Sequence, residues 1–245
     1  MKIVIKIGTS TLTHSTGRTN IRRVADLCRV ISDLKNAGHE IILVSSGAIA
    51  MGVGKLNLST RPSDAPTKQA AAAVGQCELM YIYDRLFAEH NHTVAQLLIT
   101  APDIDDPVRK ENFHNTLERL LAFRVLPIIN ENDTVSTEEL GIGDNDTLSA
   151  TVAASVNADL LVLLSDIDGL YDQDPHINPH ARLIPVVEKL DEHILSLAGG
   201  KGSALGTGGM VTKLRAAQIA GAAGVDMVIA NGQDPLLLYD IAEGR

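Results

Sequence analysis

A lysine stands near the end of the first apolar run of the chain, Lys2-Ile3-Val4-Ile5-Lys6-Ile7-Gly8-Thr9-Ser10. A second, Lys213, follows the segment Gly206-Thr207-Gly208-Gly209-Met210. An ammonium group at the end of an apolar strand costs solvation unless it meets an anion. A lysine in the first turn of a helix opposes the helix dipole. Both placements make chemical sense if the ligand carries phosphate. Glycines let backbone N–H groups approach phosphate oxygens, and a helix N-terminus adds partial positive charge. Other polar segments share the pattern: Ser45-Ser46-Gly47-Ala48, Asn130-Glu131-Asn132-Asp133, Gly143-Asp144-Asn145-Asp146 and Ser165-Asp166-Ile167-Asp168-Gly169-Leu170-Tyr171. Singly, each is an ordinary turn or helix cap. Converging on one sheet edge, they make an anion site.

The common nucleotide and metal fingerprints are missing. Lys201 is followed by Gly202 rather than Ser or Thr, so there is no P-loop. Gly206 and Gly208 are followed by Val211 where a dinucleotide fingerprint needs its third glycine. A calcium loop over Asp166 to Gly169 fails at Leu170. His176 and His180 have helical spacing, but Pro175 and Pro179 make that stretch a loop. No metal held by protein ligands alone is expected, and no Ser-His-Asp or Cys-His arrangement is readable.

These segments need a scaffold, and the hydrophobic pattern supplies one. Strands are expected at Lys2–Ile7, Ile41–Val44, Val94–Ile99, Val125–Ile129, Leu160–Leu164 and Met227–Ala230. Helices are expected at Ile21–Ala37, Ala65–Glu89, Arg109–Ala122, Thr147–Val156 and Met210–Ala223. Strands without polar alternation, separated by helices, indicate a parallel sheet covered on both faces, and such sheets bind ligands at their carboxyl ends. With 45% hydrophobic but only 3% aromatic residues and no Trp, the core must be aliphatic. A charge of −9 with so few aromatics argues against nucleic acid as a partner. Cys28 and Cys77 fall in helical segments, which speaks for a reducing compartment rather than a disulfide scaffold. The most apolar stretch, Ile41 to Met51, is too short to span a membrane, and no signal-like run opens the chain. The expectation is a cytoplasmic α/β protein with one domain over residues 1–245. Lys55 to Thr67, rich in polar and turn residues, is a candidate flap.

Taken together, Lys6 to Ser10, Ser45 to Ala50, Pro127 to Asp133, Gly143 to Asp146, Ser165 to Tyr171 and Gly206 to Lys213 resemble the amino acid kinase family. Within it they look most like the members that phosphorylate the side-chain carboxylate of glutamate. The motifs run in the family's order and cover the chain from residue 2 to about residue 244. The resemblance implies a three-layer αβα sandwich with a mainly parallel sheet, and ATP-dependent formation of γ-glutamyl phosphate, the first step of proline synthesis. It implies that Lys6 and Lys213 stabilise the transferring phosphoryl group and that Asp146 orients both. Ser46, Asp133 and Asn145 would hold L-glutamate. Lys6, Gly8, Thr9, Ser165, Asp166, Thr207, Gly208, Gly209, Met210, Val211, Thr212 and Lys213 would contact the nucleotide, with Mg²⁺ held mainly by phosphate oxygens. It further implies a homo-oligomer inhibited by proline. The C-terminal PUA domain of many members is not expected within residues 1–245.

The residue types suit this chemistry. A glutamate side chain has a pKa of about 4.3, so it is ionised at neutral pH and needs no general base. Catalysis then rests on positioning and charge neutralisation. By chemical type, Asp133 suits the substrate's ammonium group, and Asn145 its carboxylate through N–H donors. Two alternatives keep the fold: a sibling kinase acting on acetylglutamate, aspartate, carbamate or UMP, and a non-catalytic amino-acid or nucleotide sensor. Lys6, Asp146 and Lys213 argue against the sensor, which needs no phosphoryl-stabilising charges.

Overall fold

Alternating side chains in the first strand sort the molecule into layers. In β1 (Lys2–Ile7), Ile3, Ile5 and Ile7 join one apolar cluster, while Val4 joins a second. The two-residue period of a strand then puts Lys6 on the same side as Val4. The protein is described by a computed structural model covering residues 1–14, 16, 18–136, 144–175, 177–197 and 209–245.

After β1 come α1 (Thr9–Leu12), α2 (Ile21–Asn36), β2 (Glu40–Ser45), α3 (Ala48–Lys55), α4 (Ala65–Ala88) and β3 (Val94–Ile99). The middle of the chain forms α5 (Ala101–Asp105), α6 (Pro107–Ala122), β4 (Leu126–Glu131), α7 (Asn145–Ser155) and β5 (Leu160–Ser165). The last part forms β6 (Leu170–Tyr171), β7 (Leu183–Ile184), α8 (Glu192–Leu197), α9 (Met210–Ala222), β8 (Asp226–Asn231) and α10 (Leu237–Ala242). Six strands pair in the order β3-β4-β2-β1-β5-β8, every pairing parallel. Leu27, Ile31, Leu79, Tyr83 and Phe87 of α2 and α4 cover one face. Leu117, Leu121, Leu148, Val152, Ala216 and Ala220 of α6, α7 and α9 cover the other. This is the three-layer αβα sandwich that the sequence leads one to expect. The loops after β1 and β5 leave adjacent strands for opposite faces: α1 and α2 on one side, α9 on the other. That reversal opens a crevice at the carboxyl edge of an α/β sheet.

Every expected strand and helix is present, with ends shifted by at most two residues. The short elements α1, α3, α5, α8 and α10 and the antiparallel pair β6–β7 were not expected. For α3, Gly52 and Gly54 lower intrinsic helix propensity. The structure shows why a glycine stands there. A Cβ on Gly52 would lie 1.8 Å from the Ala71 carbonyl oxygen, and one on Gly75 would lie 1.7 Å from that of Ala48. The two helices cross backbone against backbone, and only glycine permits it. Gly75→Ala must therefore push α3 off α4. We expect a loss of about 3 kcal/mol and a melting temperature lower by roughly 6–12 °C, measurable by calorimetry. An unchanged melting temperature would mean the crossing yields easily.

The candidate flap needs correcting at both ends. Lys55 closes α3, and Ala65 to Thr67 open α4, where the Asp64 side chain accepts a hydrogen bond from the Thr67 N–H. Only residues 56–64 connect the two helices. The stretch around His180 is loop, as expected, while His176 lies outside the described residues.

Candidate active site

The carboxyl ends of β1, β2, β4 and β5 surround a cleft of about 570 Å³. At its floor lies Asp146, in the first turn of α7, only 2% exposed. Lys6 Nζ lies 2.7 Å from Asp146 Oδ1, and Lys213 Nζ 3.2 Å from Oδ2. Thr212 Oγ1 donates to the same Oδ2 at 2.8 Å. Local sequence explains the placement. Lys6 faces α7 and α9 through strand alternation, and Lys213 is buried because the fourth residue of α9 faces the sheet. Asp144 caps α7 by accepting from the Thr147 N–H at 2.8 Å, which anchors the turn that presents Asp146.

The electrostatics arise from this geometry. Burial alone would raise the Asp146 carboxyl, but the ammonium groups of Lys6 and Lys213 and the Thr212 hydroxyl outweigh it. The carboxyl is held below the usual carboxylate range. One carboxylate thus keeps two cations side by side that would otherwise repel. Two fixed ammonium groups at the floor of a cleft can neutralise charge developing on a transferring phosphoryl group.

Ser46, Asp133 and Asn145 line the same cleft as Lys6 and Lys213. Gly47, after β2, has φ +101°, a left-handed conformation that favours glycine and lets the chain turn into α3 beside Ser46. Asn145 Nδ2 donates to Ser46 Oγ at 2.7 Å and to Asn130 Oδ1 at 3.0 Å, so both its N–H groups are used within the protein. This differs from the expectation that those N–H groups serve a substrate carboxylate. Burial, with help from neighbouring Glu131, pushes the Asp133 carboxyl up to about 6.

Of the expected nucleotide residues, Gly8, Thr9, Ser165 and Asp166 line the cleft with the two lysines. Gly8 has a local reason: a Cβ there would sit 3.3 Å from the Leu164 carbonyl oxygen and 3.7 Å from Lys6 Nζ. A side chain would crowd the approach to the ammonium. Gly209, Met210, Val211 and Thr212 open α9 next to the cleft rather than lining it. The N-cap Gly209 offers no side-chain acceptor, so the first N–H groups of α9 have no side-chain cap among the described residues and suit an anion. Thr207 and Gly208 lie outside the described residues. The phosphates of a nucleotide fit this combination of glycine, lysines and helix terminus.

Ser10, Asn130, Glu131 and Asp144, which the sequence places in the site segments without an individual role, also line the cleft, as does Arg61, which lies outside those segments. Asn130, Glu131 and Asp144 stand inside the polar motifs at the strand ends, so position alone could have flagged them. Arg61, in the connection between α3 and α4, carries no motif signal.

Comparison with known proteins agrees with the geometry. The description "Amino acid kinase family" matches residues 1–231. Glutamate 5-kinase of Clostridium tetani is 54% identical, over 99% of this chain and 91% of its own. Glutamate 5-kinase of Caldanaerobacter subterraneus is 52% identical, over 100% of this chain and 66% of its own. Among solved structures, carbamate kinase from Giardia lamblia bound to AMP-PNP superposes with a TM-score of 0.65 at 18% identity, over 99% of this chain and 95% of its own. Isopentenyl phosphate kinase of T. acidophilum gives 0.67 at 19% identity, over 98% and 95%. At such identities these two speak for the fold alone. The family match over nearly the whole chain, the half-identical relatives and the lysine-carboxylate-lysine floor meet in one conclusion: the chain belongs to the amino acid kinase family.

Proposed function

We infer that the protein transfers a phosphoryl group from ATP to the γ-carboxylate of L-glutamate, giving L-glutamyl 5-phosphate, the first step of proline biosynthesis. The carrying observation is the pair of ammonium groups, Lys6 and Lys213, braced by one buried carboxylate at the floor of the cleft. The half-identical relatives, named glutamate 5-kinases, supply the acceptor.

Bound ATP supplies the transferable phosphoryl group and, with Mg²⁺ on its phosphate oxygens, part of the charge neutralisation. The chain's residues do the rest. Lys6 and Lys213 stabilise the negative charge on the phosphoryl oxygens as it spreads during transfer. Asp146 keeps both ammonium groups in place without touching the reacting atoms. Gly8, Thr9, Ser165, Asp166 and the stretch from Thr207 to Thr212 hold the nucleotide. Ser46, Asp133 and Asn145 hold glutamate with its side-chain carboxylate towards the lysines. No general base is required, because the attacking carboxylate is already ionised. On the family resemblance, the protein acts in the cytoplasm as a homo-oligomer and is inhibited by proline.

The test is a trapping assay. Purified protein with Mg-ATP, hydroxylamine and L-glutamate should yield a coloured hydroxamate, and N-acetylglutamate or aspartate should not. ADP release with UMP should stay at background. Hydroxamate from another acceptor would keep the kinase chemistry and discard the glutamate subsite. No turnover with any acceptor, alongside measurable glutamate or ATP binding, would favour a sensor.

Asp133 adds a pH prediction. Its carboxyl, raised to about 6 in the free protein, must ionise to pair with the substrate's ammonium group. Below that pH the glutamate KM should therefore rise by about tenfold per pH unit, while kcat moves much less. Above about pH 7 the KM should be flat. Asp133→Ala should raise the glutamate KM at neutral pH and abolish the dependence. A shift in the ATP KM alone would place Asp133 in the other subsite.

A further inference from the structure

Beneath the glutamate side of the cleft runs a chain of three amides whose direction is fixed at one point. The Glu131 backbone N–H lies 2.9 Å from one end of the Asn130 side chain. A backbone N–H can only donate, so that end is Oδ1. The same oxygen is 3.0 Å from the Asn145 amide, which must therefore present Nδ2 to it. The other end of Asn130, Nδ2, lies 3.0 Å from Gln76 and requires an acceptor there, Oε1. Ser46 Oγ, 2.7 Å from Asn145 Nδ2, accepts the second Asn145 proton and keeps its own hydroxyl hydrogen free to donate.

The consequence reaches the cleft. With both N–H groups spent, Asn145 has only its carbonyl Oδ1 left, and that oxygen has no hydrogen-bond partner among the described residues. Gln76, on α4 and 7% exposed, holds the far end of the chain at a cost. Its Nε2 is buried with no partner among the described residues, an uncompensated loss of solvation. Rotating the Gln76 amide would not help, since two NH₂ groups would then face each other at about 3 Å. A plain apolar side chain would spare that cost, so the amide is retained for its acceptor.

We propose that Gln76 is a positioning residue for the substrate: through Asn130 it holds Asn145 so that only Oδ1 faces the cleft, to receive the α-ammonium group of glutamate. The Ser46 hydroxyl beside it then donates to a carboxylate. An acceptor and a donor set side by side distinguish an amino acid from a simple dicarboxylate. This rests on the glutamate reading of the function and deepens it.

The experiment compares glutamate with glutarate, the same dicarboxylate without the ammonium group, as a competitive inhibitor. Wild-type hydroxamate formation from glutamate is recorded first. Its absence would count against the kinase reading itself, whatever the variants do. In Gln76→Met the glutamate KM should rise about tenfold, the loss expected for one hydrogen bond to a charged group, with kcat and the ATP KM nearly unchanged. The glutarate Ki should stay within about threefold of wild type, since no ammonium group is involved. Gln76→Glu, which keeps an acceptor for Asn130 Nδ2, should restore most of the glutamate affinity. Asn145→Leu supplies an independent reading if Gln76→Met does not fold: glutamate should weaken and glutarate should not. An unchanged glutamate KM in Gln76→Met would overturn the proposal. So would glutarate and glutamate weakening together in either variant, because Asn145 would then hold a carboxylate.

Discussion

Lys213→Ala is expected to lower kcat by about 10²–10³-fold, the cost typical of removing one preorganised charge donor from a transition state. The glutamate KM should change little. The structure explains the expected split. Lys213 is 4% exposed and touches the cleft only at its floor, where its ammonium group lies 3.2 Å from Asp146 Oδ2. Ser46 and Asp133 follow other strands, and Asn145, although next to Asp146 on α7, is tied by its side chain to Ser46 and Asn130, so all three should keep their geometry when the lysine is shortened. Binding of an amino acid should therefore survive while its phosphorylation fails. Lys6→Ala should behave alike, and the double variant should lose much less than the product of the two single losses. Two cations on one carboxylate act as a unit, and units are not additive. Turnover left intact in Lys213→Ala would remove this lysine from the chemistry. Equal losses in kcat and both KM values would instead point to collapse of the cleft floor, which a melting curve of the same variant would reveal.

The two lysines also show how much of the site a sequence can carry. Lys6 was legible because a charged residue inside an apolar strand demands a reason. The alternation of Ile3, Val4 and Ile5 even gives the side of the sheet on which that reason must lie. The segment around Asp146 was legible as a polar cluster before a helix, and its two aspartates perform distinct tasks. Asp144 is an ordinary cap, and Asp146 is the brace between the lysines. Composition cannot separate a cap from a brace two residues further on. Only the helix phase does so, by turning Asp146 inwards against β1 and α9.

The amide chain was illegible for a different reason. Gln76 lies 54 residues before Asn130 in an Ala-rich helix, where a single glutamine has no periodic signature. Its reach to Asn130 depends on how α4 packs, and α4 meets α3 backbone to backbone at Gly52 and Gly75. Arg61 was lost in the same way, since residues 56–64 have no pattern that says which way they fold back. The parallel sheet with helices on both faces came from general rules of α/β folds, whereas these contacts depend on tertiary packing that no local rule contains.

Asp146→Asn should be the most damaging single substitution at the cleft floor. The asparagine keeps the shape but leaves two ammonium groups, whose side chains are 12% and 5% exposed, without a neutralising charge. Removing one partner of a buried ion cluster costs about 3 kcal/mol, and for a chain of this length lowers the melting temperature by roughly 6–12 °C. Turnover should fall as well, because the lysines are then free to separate. The pH dependence identifies the cause. In the native protein the Asp146 carboxyl titrates below its unfolded value, since the two lysines outweigh the effect of burial. Its stabilisation is therefore complete above the unfolded pKa of about 3.9 and fades as pH falls towards the folded value. The asparagine variant has no such group. Measured by urea denaturation, the stability gap between native protein and variant should stay constant from about pH 8 to pH 5 and narrow below about pH 4. A gap that ignores pH would mean that Asp146 stabilises the floor through its hydrogen bonds alone. The two lysines would then need another counter-charge, and the bracing role assigned to this carboxylate would fall.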